Sequence, residues 1–224
     1  MKLICFSHAG GSAEFFSELR RLLIPAGIEV ITSEYAGHGK KMGTKAYRHF
    51  DELVCDMIDN IMAIVDETEE YALLGYSMGS VVLSEVVRNM HSKLPSKIFI
   101  AAHGPKIIHN VDWNEVSDEY LRDRITDFGG IADKLKNNQV YWRMYGPIYR
   151  NDFRMLDEVT FLRKVIAHDI PAIIMYSPED DLCENIEDWN YYFTYKNCYF
   201  KFDGGHFFIN DKWEIVANII KENI

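Results

Sequence analysis

The chain has 224 residues, 48% hydrophobic and 26% charged, the balance of an ordinary soluble globule long enough for an ample core, and a single domain over 1–224 is expected. Lys and Arg number 24 against 34 Asp and Glu, a net charge of −10 that argues against a nucleic-acid partner, and no Lys/Arg-rich run offsets it. Cys5, Cys55, Cys183 and Cys198 are scattered with no Cys-x-x-Cys pair, which points to reduced thiols in a cytoplasmic protein rather than a disulfide frame or a zinc site. The apolar start is too short for a signal peptide, and no apolar run approaches the length of a membrane span.

Leu3 to Phe6 reads as a buried strand. The loop Ser7-His8-Ala9-Gly10-Gly11-Ser12 follows, then a helix with Phe15, Phe16, Leu19, Leu22 and Leu23 on one side, ended by Pro25 and Gly27. Glu29 to Ser33 is a second strand and Gly37-His38-Gly39 a loop. Phe50, Leu53, Val54, Met57, Ile58, Ile61, Met62 and Val65 repeat at helical spacing. Tyr71 to Leu74 is a third strand, Ser80 to Met90 a helical pattern, and Ile98 to Ala102 a fourth strand. This alternation predicts an α/β fold: a mostly parallel sheet with helices on both faces.

From about 105 to 168 the pattern breaks into several helices with many aromatic residues, among them Trp113, Phe128, Tyr149 and Phe153. These rings either pack an insert onto the core or, on its inner face, form a lid over an acyl pocket. Alternation resumes with the strand Ala172 to Tyr176, a helix near Ile186 to Phe193, a strand Tyr199 to Phe202 and a final helix carrying Trp213, Val216, Ile219 and Ile220.

The stretch Gly75-Tyr76-Ser77-Met78-Gly79 sits between the third strand and its helix, the context of a nucleophile elbow. Small neighbours are needed where strand and helix would collide around so sharp a turn. The Met78 N–H lies at a helix N-terminus, suited to an oxyanion. In an open α/β sheet, ligands bind at the carboxyl ends of the strands. Four such ends here carry useful chemistry: His8 to Gly11, Ser77, Asp180-Asp181 and His206. The order Ser, Asp, His is that of α/β-hydrolases. Ser77 is the expected nucleophile and His206 its base. Asp180 is the preferred orienting carboxylate, being third after the strand end at Ser177, with Asp181 as the alternative. The second oxyanion donor is expected from the glycine loop, Ala9 first and Gly10 next. His8 can brace that loop or touch substrate, His103 is placed to reach the cleft, and His38 is expected to be structural or exposed. His49, His91, His109 and His168 have no supporting context. A Ser-His-Asp system needs no metal or cofactor, and the Gly10-Gly11 loop lacks the sequence of a phosphate cradle.

With these residues in place the chain resembles the type II thioesterases, stand-alone editing hydrolases of nonribosomal peptide and polyketide synthetases. The resemblance spans essentially the whole length. It includes Phe6 to Ala13, the elbow Gly75 to Gly79, Phe128-Gly129-Gly130-Ile131, Pro147 to Phe153, Asp180-Asp181-Leu182-Cys183 with Trp189, and Asp203-Gly204-Gly205-His206-Phe207-Phe208. Two positions depart from the family pattern: Tyr76 stands where a histidine is usual, and Ala36-Gly37-His38 where Pro-Gly-Arg is usual. The resemblance implies the α/β-hydrolase fold and, as substrate and partner, an acyl group on the phosphopantetheine arm of an acyl or peptidyl carrier protein. No membrane partner is expected, and a monomer is. Arg20, Arg21, Lys40, Lys41, Lys45 and Arg48 are candidates for local docking, or else plain solvated charges. Because a triad does not read the leaving atom, a carboxylesterase or lipase remains the alternative. A non-catalytic binding protein on this fold would be expected to have lost a triad member.

Overall fold

The computed structural model describes residues 1–66, 68–105, 111–159, 169–193, 195 and 197–224. Its strands are β1 (Lys2–Phe6), β2 (Glu29–Thr32), β3 (Tyr71–Tyr76), β4 (Lys97–Ala101), β5 (Ala172–Tyr176) and β6 (Cys198–Lys201). They form one sheet in the order β2-β1-β3-β4-β5-β6, with every neighbouring pair parallel. All six expected strands are present. β3 runs two residues further than the apolar pattern, because Gly75 and Tyr76 still pair with Ile100 and Ala101 of β4.

Each strand sends alternate side chains to opposite faces. Ile4, Phe6, Leu73, Ile98, Ile100 and Ile174 face one core, and Leu3, Cys5, Leu74, Tyr76, Phe99 and Met175 the other. Both sets are apolar, as a parallel sheet covered on both sides requires. The first core is closed by α2 (Phe50–Ile64), through Leu53, Met57 and Ile61, and by α3 (Met78–Asn89), through Val82 and Val86. The second is closed by α1 (Ser17–Leu23) and α7 (Trp213–Asn223), through Leu19, Leu23, Val216 and Ile220. The start of the first expected helix is a 3-10 turn, Ala13–Phe16, whose cap is the Ser12 hydroxyl accepting the Glu14 N–H.

Between β4 and β5 lie α4 (Asp118–Asp127), α5 (Asp133–Lys136) and α6 (Gln139–Leu156), with no strand among the described residues there. Ser117 and Asn138 accept first-turn N–H groups of α4 and α6, which fixes where these helices start. Leu121, Ile125, Ile131, Trp142 and Tyr149 make a small core of their own, while Met155 and Leu156 anchor the end of α6 in the main core. Arg150 of α6 donates to the carbonyls of Trp113 and Val116 and pairs with Asp118, tying the insert together. His109 and His168, with the rest of the expected insert at 106–110 and 160–168, lie outside the described residues.

One expected α-helix takes another form. Ile186–Tyr191 is a 3-10 segment entered from Asn185 in the left-handed region. A three-residue turn aligns positions i and i+3, and Ile186 and Trp189 are the two residues that must be buried together. Among the described residues no helix is long and apolar enough to cross a membrane.

Met57 is fully buried on α2 and does not line the cavity that opens at the carboxyl ends of the strands. Met57→Ala is expected to lower unfolding free energy by about 2–5 kcal/mol in urea titration, with turnover per folded molecule unchanged.

Candidate active site

The strand order reverses direction between β1 and β3: the chain steps from β1 out to β2 on one side, then from β3 to β4 on the other. Loops leaving β1 and β3 therefore diverge and open a crevice at their carboxyl ends. Ser77 stands in that crevice with φ 55° and ψ −120°, outside the comfortable range of an L-residue. The turn is sharp because strand and helix nearly touch. A Cβ on Gly75 would collide with the Gly79 carbonyl, and one on Gly79 with the Phe6 carbonyl, so only glycine fits at either place. The Met78 N–H is the first of α3, where helix geometry offers no intrahelical acceptor.

The other side chains arrive from β5 and β6. The Ser77 hydroxyl donates to His206 Nε2 at 2.9 Å, and His206 Nδ1–H donates to Asp180 Oδ2 at 2.8 Å. All three residues are buried. Asp180 is fixed as the cap of the 3-10 turn Asp181–Cys183: its Oδ1 accepts the Leu182 N–H at 3.1 Å, which leaves Oδ2 facing the imidazole. The Cys183 thiol also donates to Oδ2, at 3.4 Å, and burial pushes the pKa of this thiol up, so it stays protonated. Asp181 is exposed and lines the cavity without touching His206. Of the two aspartates, Asp180 is the one that hydrogen-bonds the imidazole.

Tyr76, at the position where the resemblance leads one to expect histidine, points to the opposite sheet face and donates its hydroxyl to the His206 carbonyl. The Ser177 hydroxyl donates to the Gly204 carbonyl, and the Gly204 N–H donates to Glu179 at 3.1 Å. The histidine loop is thus held by its backbone as well as by its ring.

A cavity of about 360 Å³ opens beside Ser77. Its apolar wall comes largely from the insert, through Trp113, Ile125, Phe128, Ile131, Tyr149 and Phe153. The insert's aromatic residues thus divide: these line the cavity, whereas Trp142, Tyr141 and Tyr145 pack within the insert. His8, Ala9, His103 and His206 line the cavity as well. His8 donates Nδ1–H to the Ala9 carbonyl at 2.9 Å, so it braces the glycine loop while facing the cavity. Burial lowers the pKa of both His8 and His103 to about 4, with hydrogen bonds to the Ala9 and Gly104 carbonyls opposing, so both are neutral at pH 7.

Of the expected oxyanion donors, Gly10 does not have a free N–H: it donates to Asp152 at 2.7 Å. Ala9 remains. His38 is not exposed but buried against the same Asp152. Sequence reading missed Asp152, although a carboxylate on the apolar face of an amphipathic helix is a signal that can be read. Of the six candidate docking cations, Arg21 pairs with Glu18 and Lys41 with Asp56, and none lines the cavity.

A parallel sheet of this order, an elbow after β3 and a helical insert after β4 define an α/β-hydrolase. The chain belongs to the thioesterase family, whose Thioesterase domain model matches residues 1–224, and it is a thioester hydrolase. Thioesterase PikA5 of Streptomyces venezuelae is 21% identical over 234 residues, covering 100% of this chain and 81% of its own length. Among solved structures, ClbQ from the colibactin NRPS/PKS pathway superposes with a TM-score of 0.89 at 22% identity, covering 99% of this chain and 95% of that one. The type II thioesterase BorB from the borrelidin biosynthetic cluster superposes with a TM-score of 0.86 at 25% identity, covering 99% and 91%.

The two neutral histidines set an acid limit. A group whose folded pKa lies below its unfolded value of 6.5 contributes stability that is complete above 6.5 and is lost as pH falls toward 4. The urea midpoint is expected to drop over that window, and imidazole NMR should show His8 and His103 uncharged at pH 6.

Proposed function

We propose that this protein is an editing thioesterase that hydrolyses acyl groups from the phosphopantetheine arm of carrier proteins in nonribosomal peptide or polyketide synthesis. The observation that carries the reading is the unbroken line of hydrogen bonds from Ser77 through His206 to Asp180 at the mouth of an apolar cavity. The pathways named for ClbQ and BorB support the substrate class.

In this reading Ser77 Oγ attacks the thioester carbonyl carbon while His206 Nε2 takes the hydroxyl proton. Asp180 holds the ring in the tautomer with Nδ1–H and stabilises the imidazolium. The oxyanion is met by the Met78 and Ala9 N–H groups. As the C–S bond breaks, His206 returns its proton to the pantetheine sulfur. Water then gives a proton to His206 and attacks the acyl-serine, releasing the free acid and restoring Ser77. An apolar cavity suits an acyl chain and keeps competing water low around it. With a net charge of −10, the enzyme gains no long-range attraction to an acidic carrier, so docking relies on local contacts. The four cysteines are free thiols, two of them exposed, which supports a reducing, cytoplasmic setting.

Ser77→Ala and His206→Ala are expected to fold and to lose about ten-thousand-fold or more in kcat on an acyl-pantetheine thioester. Asp180→Asn should cost roughly a thousand-fold or more and Asp181→Asn little; the reverse ranking would reassign the acid. Matched oxygen esters should turn over more slowly than the thioesters, and markedly faster turnover of the esters would contradict the substrate class.

A further inference from the structure

Asp152 takes no part in the relay, yet it is fully buried. It sits on α6 one turn from Tyr149 and one turn from Leu156, on the face that meets the rest of the molecule. A carboxylate placed there is costly unless its charge is taken up. Its Oδ2 accepts the Gly10 N–H at 2.7 Å and faces His38 Nε2 at 2.9 Å. The Oδ1 atom is equally buried and has no hydrogen-bond partner among the described residues.

The His38 ring is bracketed by acceptors. Nε2 faces this carboxylate and Nδ1 faces the Ala36 carbonyl at 3.1 Å. A neutral imidazole carries one N–H and would aim a lone pair at one of the two oxygens. A doubly protonated ring donates to both oxygens, the arrangement that an imidazolium–carboxylate pair would adopt. Burial works against the charge on His38, but the charge and hydrogen bond of Asp152 outweigh it, and its pKa is raised. Glu34, beyond the end of β2, adds to that rise, whereas neutral His8 faces the pair from the loop after β1. The phenols of Tyr35 and Tyr149 lie nearby and stay protonated, because burial raises both.

The pair acts on one peptide unit. The Ala9–Gly10 peptide is gripped at both ends: its carbonyl accepts from His8 and its N–H donates to Asp152. Gly10 has φ +69°, and the Tyr149 ring occupies the place a Cβ would take. The preceding peptide, which carries the Ala9 N–H, is held in turn by its His8 carbonyl, which accepts the Gly11 N–H at 2.9 Å, and Ala9 lines the cavity with Ser77. We propose that Asp152, paired with His38, is a positioning residue that holds the Ala9–Gly10 peptide from helix α6 and so presents the Ala9 N–H to the oxyanion. The proposal rests on the serine-hydrolase reading of Ser77. It also means that the oxyanion site is complete only when α6 is seated, because Asp152 and Tyr149 both ride on that helix.

The sign of the pH dependence follows. A raised folded pKa means that the stabilisation is full below the unfolded value of 6.5 and is lost as pH rises through the folded one. Above it, His38 no longer meets Asp152 as a cation, and the support that the pair gives the Gly10 N–H changes.

The test compares wild type, Asp152→Asn, Asp152→Leu and His38→Gln on one short acyl-pantetheine thioester, with Ser77→Ala as reference. Asp152→Asn keeps an acceptor of the same shape without the charge. It is expected to lower kcat about ten-fold or more with KM within about two-fold, and Asp152→Leu to lower it further. The wild-type decline of kcat at alkaline pH should be absent in His38→Gln, which should be slow throughout. In NMR the Gly10 amide should titrate together with the His38 ring. A folded Asp152→Asn with wild-type kcat, or with its loss confined to KM, overturns the proposal. If Asp152→Asn does not fold, the wild-type titration decides, and a Gly10 amide that ignores His38 overturns it. An inactive wild type, or an active Ser77→Ala, instead sinks the serine-hydrolase reading itself and the proposal with it.

Discussion

Ser77 holds backbone angles that cost an L-residue about 1–3 kcal/mol, and the surrounding sheet is what keeps them. Its N–H donates to the Ala101 carbonyl of β4 at 2.8 Å. The Ser80 hydroxyl lies between the Gly75 and Ala101 carbonyls at 2.9 and 2.8 Å and accepts the Ala101 N–H at 3.1 Å. Gly79 rests against the Phe6 carbonyl of β1. Three adjacent strands therefore fix one strained residue. Because that residue stands where the strand order reverses, its hydroxyl points into the crevice rather than into a neighbouring helix.

Four histidines near this crevice have different environments. His103 is buried and His8 partly buried, neither hydrogen-bonds a carboxylate among the described residues, and both remain neutral, able to brace and to line a cavity but not to carry charge. His206 and His38 each meet an aspartate at hydrogen-bond distance. The first pair is aimed at a hydroxyl and the second at a backbone amide. The same chemical unit thus occurs twice, and the difference in use comes from what lies on the far side of each pair.

The layered fold was legible because strands buried on both faces read as short apolar runs, and α2 as a clean helical repeat. The elbow was legible because only glycine tolerates its close approaches. Asp180 and Asp181 are adjacent in a turn, where no periodicity gives a side-chain direction, so the preference for Asp180 rests on its place after the strand end, and the 3-10 cap is what turns its carboxylate toward His206. The 3-10 form of Ile186–Tyr191 was hidden because three- and four-residue spacings are confounded over so short a run. His38 and Asp152 meet across 114 positions, and a contact of that range leaves no local trace in the sequence. The split of the insert's aromatic residues between cavity and packing depends likewise on how α4 and α6 are oriented, not on composition.

The most direct measurement is acid-quenched single turnover on an acyl-pantetheine thioester, followed by intact and peptide mass spectrometry. A transient adduct with the mass of the acyl group, located on Ser77 and formed together with free pantetheine thiol, is the expected result. Hydrolysis with no covalent adduct at any quench time, or an adduct on another residue, would contradict the account.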